Sequence, residues 1–178
     1  MRKLRNVWLS QAAVGEHSGG SKLYISDKLN VDHRTCMADD ESRGAIPIEM
    51  VALDDYFKPG ERVDMIKLDI QGYELHALRG AKRVLRENRN IQLLLEFWPY
   101  GLKEAGSNWK ELIQMLRDLS IDPMLVRMDG LIPCQARDVR SDSAWYVNLF
   151  ASRGKSGIDG ITFEPVPRNV TWLPRQSL

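Results

Sequence analysis

"VDMIKLDIQGYELHALRGAKRVL", residues 63–85, changes period halfway along. Up to Ile70 the pattern alternates. Ile66, Leu68 and Ile70 share one face of an extended strand, and Met65, Lys67 and Asp69 share the other. From Glu74 onward Leu75, Ala77, Leu78, Ala81, Val84 and Leu85 recur at helical spacing. A strand over 63–70 and a helix over 74–88 are predicted, joined by a turn at Gln71-Gly72. Gly72 permits either a positive φ or a close approach to the backbone. Gly80 lies inside the predicted helix, where glycine costs about 1 kcal/mol relative to alanine, so close packing against a neighbour is expected there.

Two charges in an otherwise apolar strand need an explanation. Lys67 and Asp69 lie about 6 to 7 Å apart along one face. A nearby ammonium offsets the cost of taking a carboxylate out of water. Asp69 also sits at the carboxyl end of its strand, where open α/β sheets hold ligands. Glu74 falls in the first helical turn, where its charge suits the helix dipole.

Working outward, Ile91 to Trp98 (IQLLLEFW) is almost wholly apolar, as for a strand covered on both faces. It ends on Glu96 and Trp98 much as IKLDIQ ends on Asp69 and Gln71. If the two strands are neighbours, Asp69 and Glu96 stand about 5 to 8 Å apart on one rim. Two carboxylates beside an aromatic ring suit a cationic ligand, a polyhydroxylated one or a metal; the alternative is that Asp69 only pairs with Lys67.

Pro99 to Asn108 reads as a loop. Asn108 with Glu111 makes a capping-box start for the stripe Trp109, Leu112, Ile113, Leu116 and Leu119. Val7–Val14, Lys22–Ser26, Ile46–Leu53, Pro123–Met128 and Trp145–Ala151 read as further strands, with a long polar loop over Asp27–Gly44 and another over Asp129–Ser143. One α/β domain over 1–152 with a mainly parallel sheet is expected, followed by a Gly/Pro-rich tail over 153–178.

The 178 residues carry 25 basic and 24 acidic side chains, well mixed, for a net charge of +1. No basic stripe suits nucleic acid, and no apolar run is long enough for a membrane span. Cys36 and Cys134 have no CxxC neighbour, which points to reduced thiols in a cytoplasmic protein and not to a zinc site. The Asn169-Val170-Thr171 sequon is read as chance without a secretion signal.

"VALDDYF", "VDMIKLDIQGYELHALRGAKRVL" and "IQLLLEF", with "AAVGEHSGGSKLYIS" ahead of them, resemble the FkbM family of S-adenosylmethionine-dependent methyltransferases over residues 7–151. The resemblance implies a Rossmann-like class I methyltransferase fold, seven strands in the order 3-2-1-4-5-7-6 with the last strand antiparallel. Val7–Val14 would be strand 3, 63–70 strand 4 and 91–98 strand 5. Pro123–Met128 and Trp145–Ala151 would be strands 6 and 7. Lys22–Ser26 and Ile46–Leu53 would form an inserted hairpin. By the same resemblance Asp69, Gln71 and Glu74 are catalytic, and Ala13, Val14, Glu16 and Asp69 touch S-adenosylmethionine. His33, Glu96 and Trp98 face the acceptor, and no metal is implied.

The family's glycine-rich turn and ribose-binding acid precede strand 3, and the sequence holds no G-x-G. The expectation is therefore an N-terminally truncated fold in which strand 3 lacks a partner and strand 4 is an exposed edge. Weak binding of S-adenosylmethionine by the chain alone would follow. Methyl transfer to a hydroxyl of a small molecule or sugar is the expected activity, with an oligomer or a complementing chain as a possible partner. The alternative is a non-catalytic remnant or partner-binding domain. A hydrolase using Asp69 and Glu96 ranks third, because it leaves Leu53-Asp54-Asp55 and Gly80-Ala81 unexplained.

Overall fold

The computed structural model describes residues 6–26, 33–35, 44–128 and 130–153. Two sheets are present. The smaller contains β1 (Ala13–Val14), β2 (Gly19–Tyr24) and β3 (Ala45–Val51) in the order β1-β3-β2. β2 and β3 pair antiparallel from Gly19↔Met50 to Tyr24↔Ala45, the hairpin the sequence suggests, while β1 runs parallel to β3. The front strand is therefore not partnerless, but it is short. Val7, Trp8 and Leu9 lie outside it and are exposed.

The larger sheet positions the site. Its strands are β4 (Met65–Leu68), β5 (Gln92–Phe97), β6 (Asp122–Arg127), β7 (Gly130–Pro133) and β8 (Val147–Ser152), in the order β4-β5-β8-β6-β7. β4 and β5 are parallel neighbours in the register Met65↔Gln92 to Leu68↔Leu95. β8 runs antiparallel between β5 and β6, so β4, β5 and β6 point the same way. β4 forms one edge. The chain is α/β, but its strands form two mixed sheets and not one mainly parallel sheet.

Helices α1 (Leu53–Tyr56), α2 (Glu74–Arg79), α3 (Lys82–Glu87), α4 (Pro99–Glu104) and α5 (Trp109–Asp118) supply the rest of the core. Leu75, Leu78 and Leu85 pack with Leu93, Leu95 and Phe97 of β5 and with Leu112 and Leu116 of α5, all fully buried. On its other face β5 presents Gln92, Leu94 and Glu96, which are only half-buried. Complete cover on both faces is thus not seen among the described residues.

Three elements differ from expectation. The predicted 74–88 helix breaks at Gly80-Ala81 into α2 and α3. A Cβ on Gly80 would lie 2.1 Å from the carbonyl oxygen of Gly15, so the expected close packing is present, with the backbone itself as the neighbour. α4 occupies the predicted 99–108 loop. Pro99 stands in its first turn, where the missing N–H is not needed. β7 arises inside the predicted 129–143 loop and pairs back onto β6.

Local chemistry holds these short helices. Asn108 caps α5 by accepting from the Glu111 amide at 3.0 Å. α3 has no cap of its own, and Asp54 of α1 supplies one by accepting from the amides of Arg83 and Val84. Arg153 donates to the carbonyls of Leu85, Asn88 and Leu119 at the ends of α3 and α5. The Leu-Asp-Asp segment is thereby a structural brace: Asp54 caps α3, and Asp55 accepts from Ser18. No helix among the described residues is long and apolar enough to cross a membrane. Cys36, the sequon and the tail from 154 onward lie outside the described residues.

Candidate active site

β4 ends on Leu68, and the chain then runs through Asp69 and Ile70 into a tight turn. Two residues of that turn have positive φ, Gln71 at 55° and Gly72 at 95°. For glutamine this conformation costs about 1 kcal/mol or more, so something must hold it. The holder is Glu74. It has no solvent exposure, and its Oε1 accepts from the amides of Ile70 at 3.1 Å and Gly72 at 3.3 Å, the two residues that flank Gln71. Its Oε2 is buried without a partner among the described residues. Burial pushes the Glu74 carboxyl up to about 7; the backbone hydrogen bonds work against that rise and the charge of Glu96 adds to it.

Gly72 is required here for two reasons. Its φ disfavours any side chain, and an added Cβ would lie 2.3 Å from backbone atoms of Gly101 in α4. What approaches Gly72 is therefore the protein's own backbone.

With the turn fixed, the Gln71 side chain joins both strand ends. Its Nε2 donates to Glu96 Oε2 at 3.1 Å and lies 3.4 Å from Asp69 Oδ1. Asp69 is also ion-paired with Lys67 at 2.9 Å, and its side chain keeps 49% of its exposure. The Glu96 carboxyl is raised first by burial and then by the charge of Asp69, with Lys67 opposing. Structural pairing and solvent access thus coexist at Asp69.

Asp69 and Gln71 open into a cavity of about 500 Å³. Ala12, Ala13, Val14, Leu23 and Ile70 form its apolar wall, and His33, Thr35 and Tyr73 its polar side. His33 Nδ1 accepts from the amide of Ser26 at 3.1 Å. The neutral ring therefore carries its proton on Nε2 and presents a donor, not a base. Thr35 Oγ1 is buried and has no hydrogen-bond partner among the described residues.

Of the residues singled out from the sequence, Ala13, Val14, His33, Asp69 and Gln71 line this one cavity, and Glu96 joins through Gln71. Trp98 stands outside the lining. Its Nε1 donates to Ser143 O at 3.0 Å, and its ring lies 5.0 Å from the guanidinium of Arg34, in the segment that carries His33 and Thr35. Glu74 lies behind the turn, out of reach of the cavity. Glu16 faces away, 3.7 Å from His76 and 3.8 Å from Arg79, on a separate cavity of about 240 Å³. His76 is mostly buried and stacks on Tyr73 with its Nε2 2.9 Å from Ala105 O.

Thr35 and Tyr73 were not anticipated. The available signal for Thr35 was its spacing: residues 33 and 35 flank Arg34, which bridges to Tyr24 in extended geometry, so both fall on one side. No group of histidine, cysteine or carboxylate side chains suited to a metal ion occurs among the described residues.

A family model described as the methyltransferase FkbM domain matches residues 3–120. No curated protein and no solved structure matches the chain.

Proposed function

This chain belongs to the FkbM methyltransferase family, and from that premise we propose that it transfers a methyl group from S-adenosylmethionine to a hydroxyl of a small molecule or sugar. The observation that carries the proposal is the Gln71 amide shared between Asp69 and Glu96 at the mouth of the cavity. The order β4-β5-β8-β6 with β8 antiparallel supports a Rossmann-like class I sheet, since it reproduces the 4-5-7-6 half of that fold. The outer edge of β4, which bears no strand among the described residues, is where a further strand or a complementing chain would extend it.

The residues present fit the cofactor. S-adenosylmethionine supplies, when bound, a methyl group on a positively charged sulfur. Asp69 and Glu96 place negative charge beside such a cation. The wall of Ala12, Ala13, Val14 and Leu23 suits the flat face of a base, and Thr35 Oγ1 offers a hydrogen bond that no other group among the described residues takes up.

The chemistry asked of the protein is mainly positioning, which can contribute about 7 to 11 kcal/mol to a two-reactant step. Lys67 and Gln71 restrain the Asp69 carboxylate, while the Nε2–H of His33 is a donor for an acceptor oxygen. The acceptor hydroxyl must lose a proton. Glu96, whose carboxyl is raised by burial, is our candidate base, because a base works best when its pKa lies closer to the working pH. We place the reaction in the cytoplasm, where a buried free thiol such as Cys134 stays reduced.

Asp69→Asn keeps the shape of the rim and removes its charge. A charge-assisted contact is worth about 1.5 to 3 kcal/mol, so S-adenosylmethionine binding is expected to weaken about 10- to 100-fold. Equilibrium dialysis with labelled cofactor measures this. An affinity within twofold of the native chain would remove Asp69 from the cofactor site.

A further inference from the structure

We infer that a second concavity on the same sheet rim binds the anionic group of the methyl acceptor, a phosphate or sulfate ester on a small molecule; this rests on the methyl transfer proposed above. The groove has a volume of about 690 Å³ and lies at the carboxyl end of β6 and the start of β8. Arg127, Arg137 and Arg140 line it together with Asp138 and the ring of Trp145.

Two of these arginines, Arg137 and Arg140, differ from most of the arginines in the fold. Arg79 pairs with Glu111, Arg83 with Glu87, and Arg153 caps helix ends. Arg137 and Arg140 have no hydrogen bond or ion pair among the described residues. Three guanidinium groups and one carboxylate line the groove, a formal charge of +2, with Arg127 also engaged in a contact of its own. Guanidinium forks match the oxygens of a phosphate or sulfate in bidentate geometry, which a lysine cannot do. Asp138 restricts the site to a compact anion, because a long polyanion would have to run past its carboxylate.

Placement connects the groove to the candidate active site. β6 runs parallel to β4 and β5, so its carboxyl end opens on the rim that carries Asp69 and Glu96. Two strand spacings separate β5, which carries Glu96, from β6, about 10 Å. The hydrogen bond from Trp98 Nε1 to Ser143 O ties the segment between the two places to the end of β5. An acceptor held by its ester at the arginines therefore presents a hydroxyl toward Glu96 only if it is of disaccharide or nucleoside size.

Amide NMR titrations of the chain with glucose 6-phosphate, glucose 6-sulfate and glucose test this without the cofactor. Both esters are expected to move the amides of 126–128 and 136–147, glucose is expected not to, and Arg137→Ala with Arg140→Ala should weaken the esters at least tenfold. A response to phosphate alone keeps the site and narrows it to phosphate esters. Glucose moving the same amides, an unchanged double variant, or tighter binding of a single-stranded oligonucleotide would overturn the inference. Failure of the cofactor to bind leaves these titrations intact, so the two ideas fail separately.

Discussion

Gly72→Ala is expected to lose about 3 to 5 kcal/mol of folding stability, a large share of the 5 to 15 kcal/mol that domains possess. Two costs combine. A left-handed conformation disfavours a Cβ by about 1 to 2 kcal/mol, and forcing an atom into packed structure adds about 1 to 3 kcal/mol. The second cost is at its upper end here, because what lies 2.3 Å from the new atom is the Gly101 backbone, which cannot rotate aside. Gly60 is the control. Its φ of 75° is also positive, but a Cβ there would meet nothing within 4 Å, so Gly60→Ala should lose only about 1 to 2 kcal/mol. Urea unfolding of both variants decides the matter. Equal losses would mean that the Gly72–Gly101 contact does not hold the turn. The loss has a functional side as well, since this turn presents Gln71 to both carboxylates.

Above neutral pH, Glu74→Gln is expected to be more stable than the native chain by roughly 2 to 3 kcal/mol. Glu74 has its carboxyl raised from 4.5 to about 7, chiefly by burial. For a carboxyl raised in the folded state, the unfolded chain gives up the proton first. Stability from this group is full below about 4.5 and is lost as pH rises toward 7 and beyond. Glutamine keeps an oxygen to accept from the amides of Ile70 and Gly72, and it carries no charge to bury. The advantage should therefore vanish near pH 4.5 and reach its full size by about pH 8. Chemical unfolding of both proteins at a series of pH values reads it. A stability difference independent of pH would place the Glu74 charge in a solvated or paired setting, contrary to its burial. Native chains rarely keep such a cost without use, and the use visible here is the hold on Gln71.

The strand pair that carries the site was legible because period-2 alternation and two misplaced charges coincide in 63–70. The face that carries Lys67 and Asp69 is exposed in β4, so the two charges also suit a solvated strand face on which they pair with each other. The helix break at Gly80-Ala81 was not legible. Leu75, Leu78, Val84 and Leu85 keep helical phase across it, and the cause is a distant backbone, Gly15. α4 was hidden for a different reason: Pro99, Tyr100 and Gly101 look like a turn, yet proline suits a helix start and Gly101 is small because Trp98 lies against it. Glu16 was placed by resemblance, but the chain turns at the buried Gly15 and carries Glu16 to the α2 side, where it meets Arg79. Thr35 escaped because what marks it is a buried hydroxyl without a hydrogen-bond partner among the described residues, and composition cannot express that.

The proposed cofactor site is the cavity between the Ala12–Val14 segment and the Asp69–Gln71 turn. Amide NMR titration with S-adenosylhomocysteine tests it most directly, because chemical shifts report binding even at millimolar affinity. The expected result is movement of Ala12 to Val14, His33 to Thr35 and Ile70 to Tyr73, reduced in Asp69→Asn. Shifts confined to the Glu16–Ser21 cavity, or none at millimolar ligand, would contradict it.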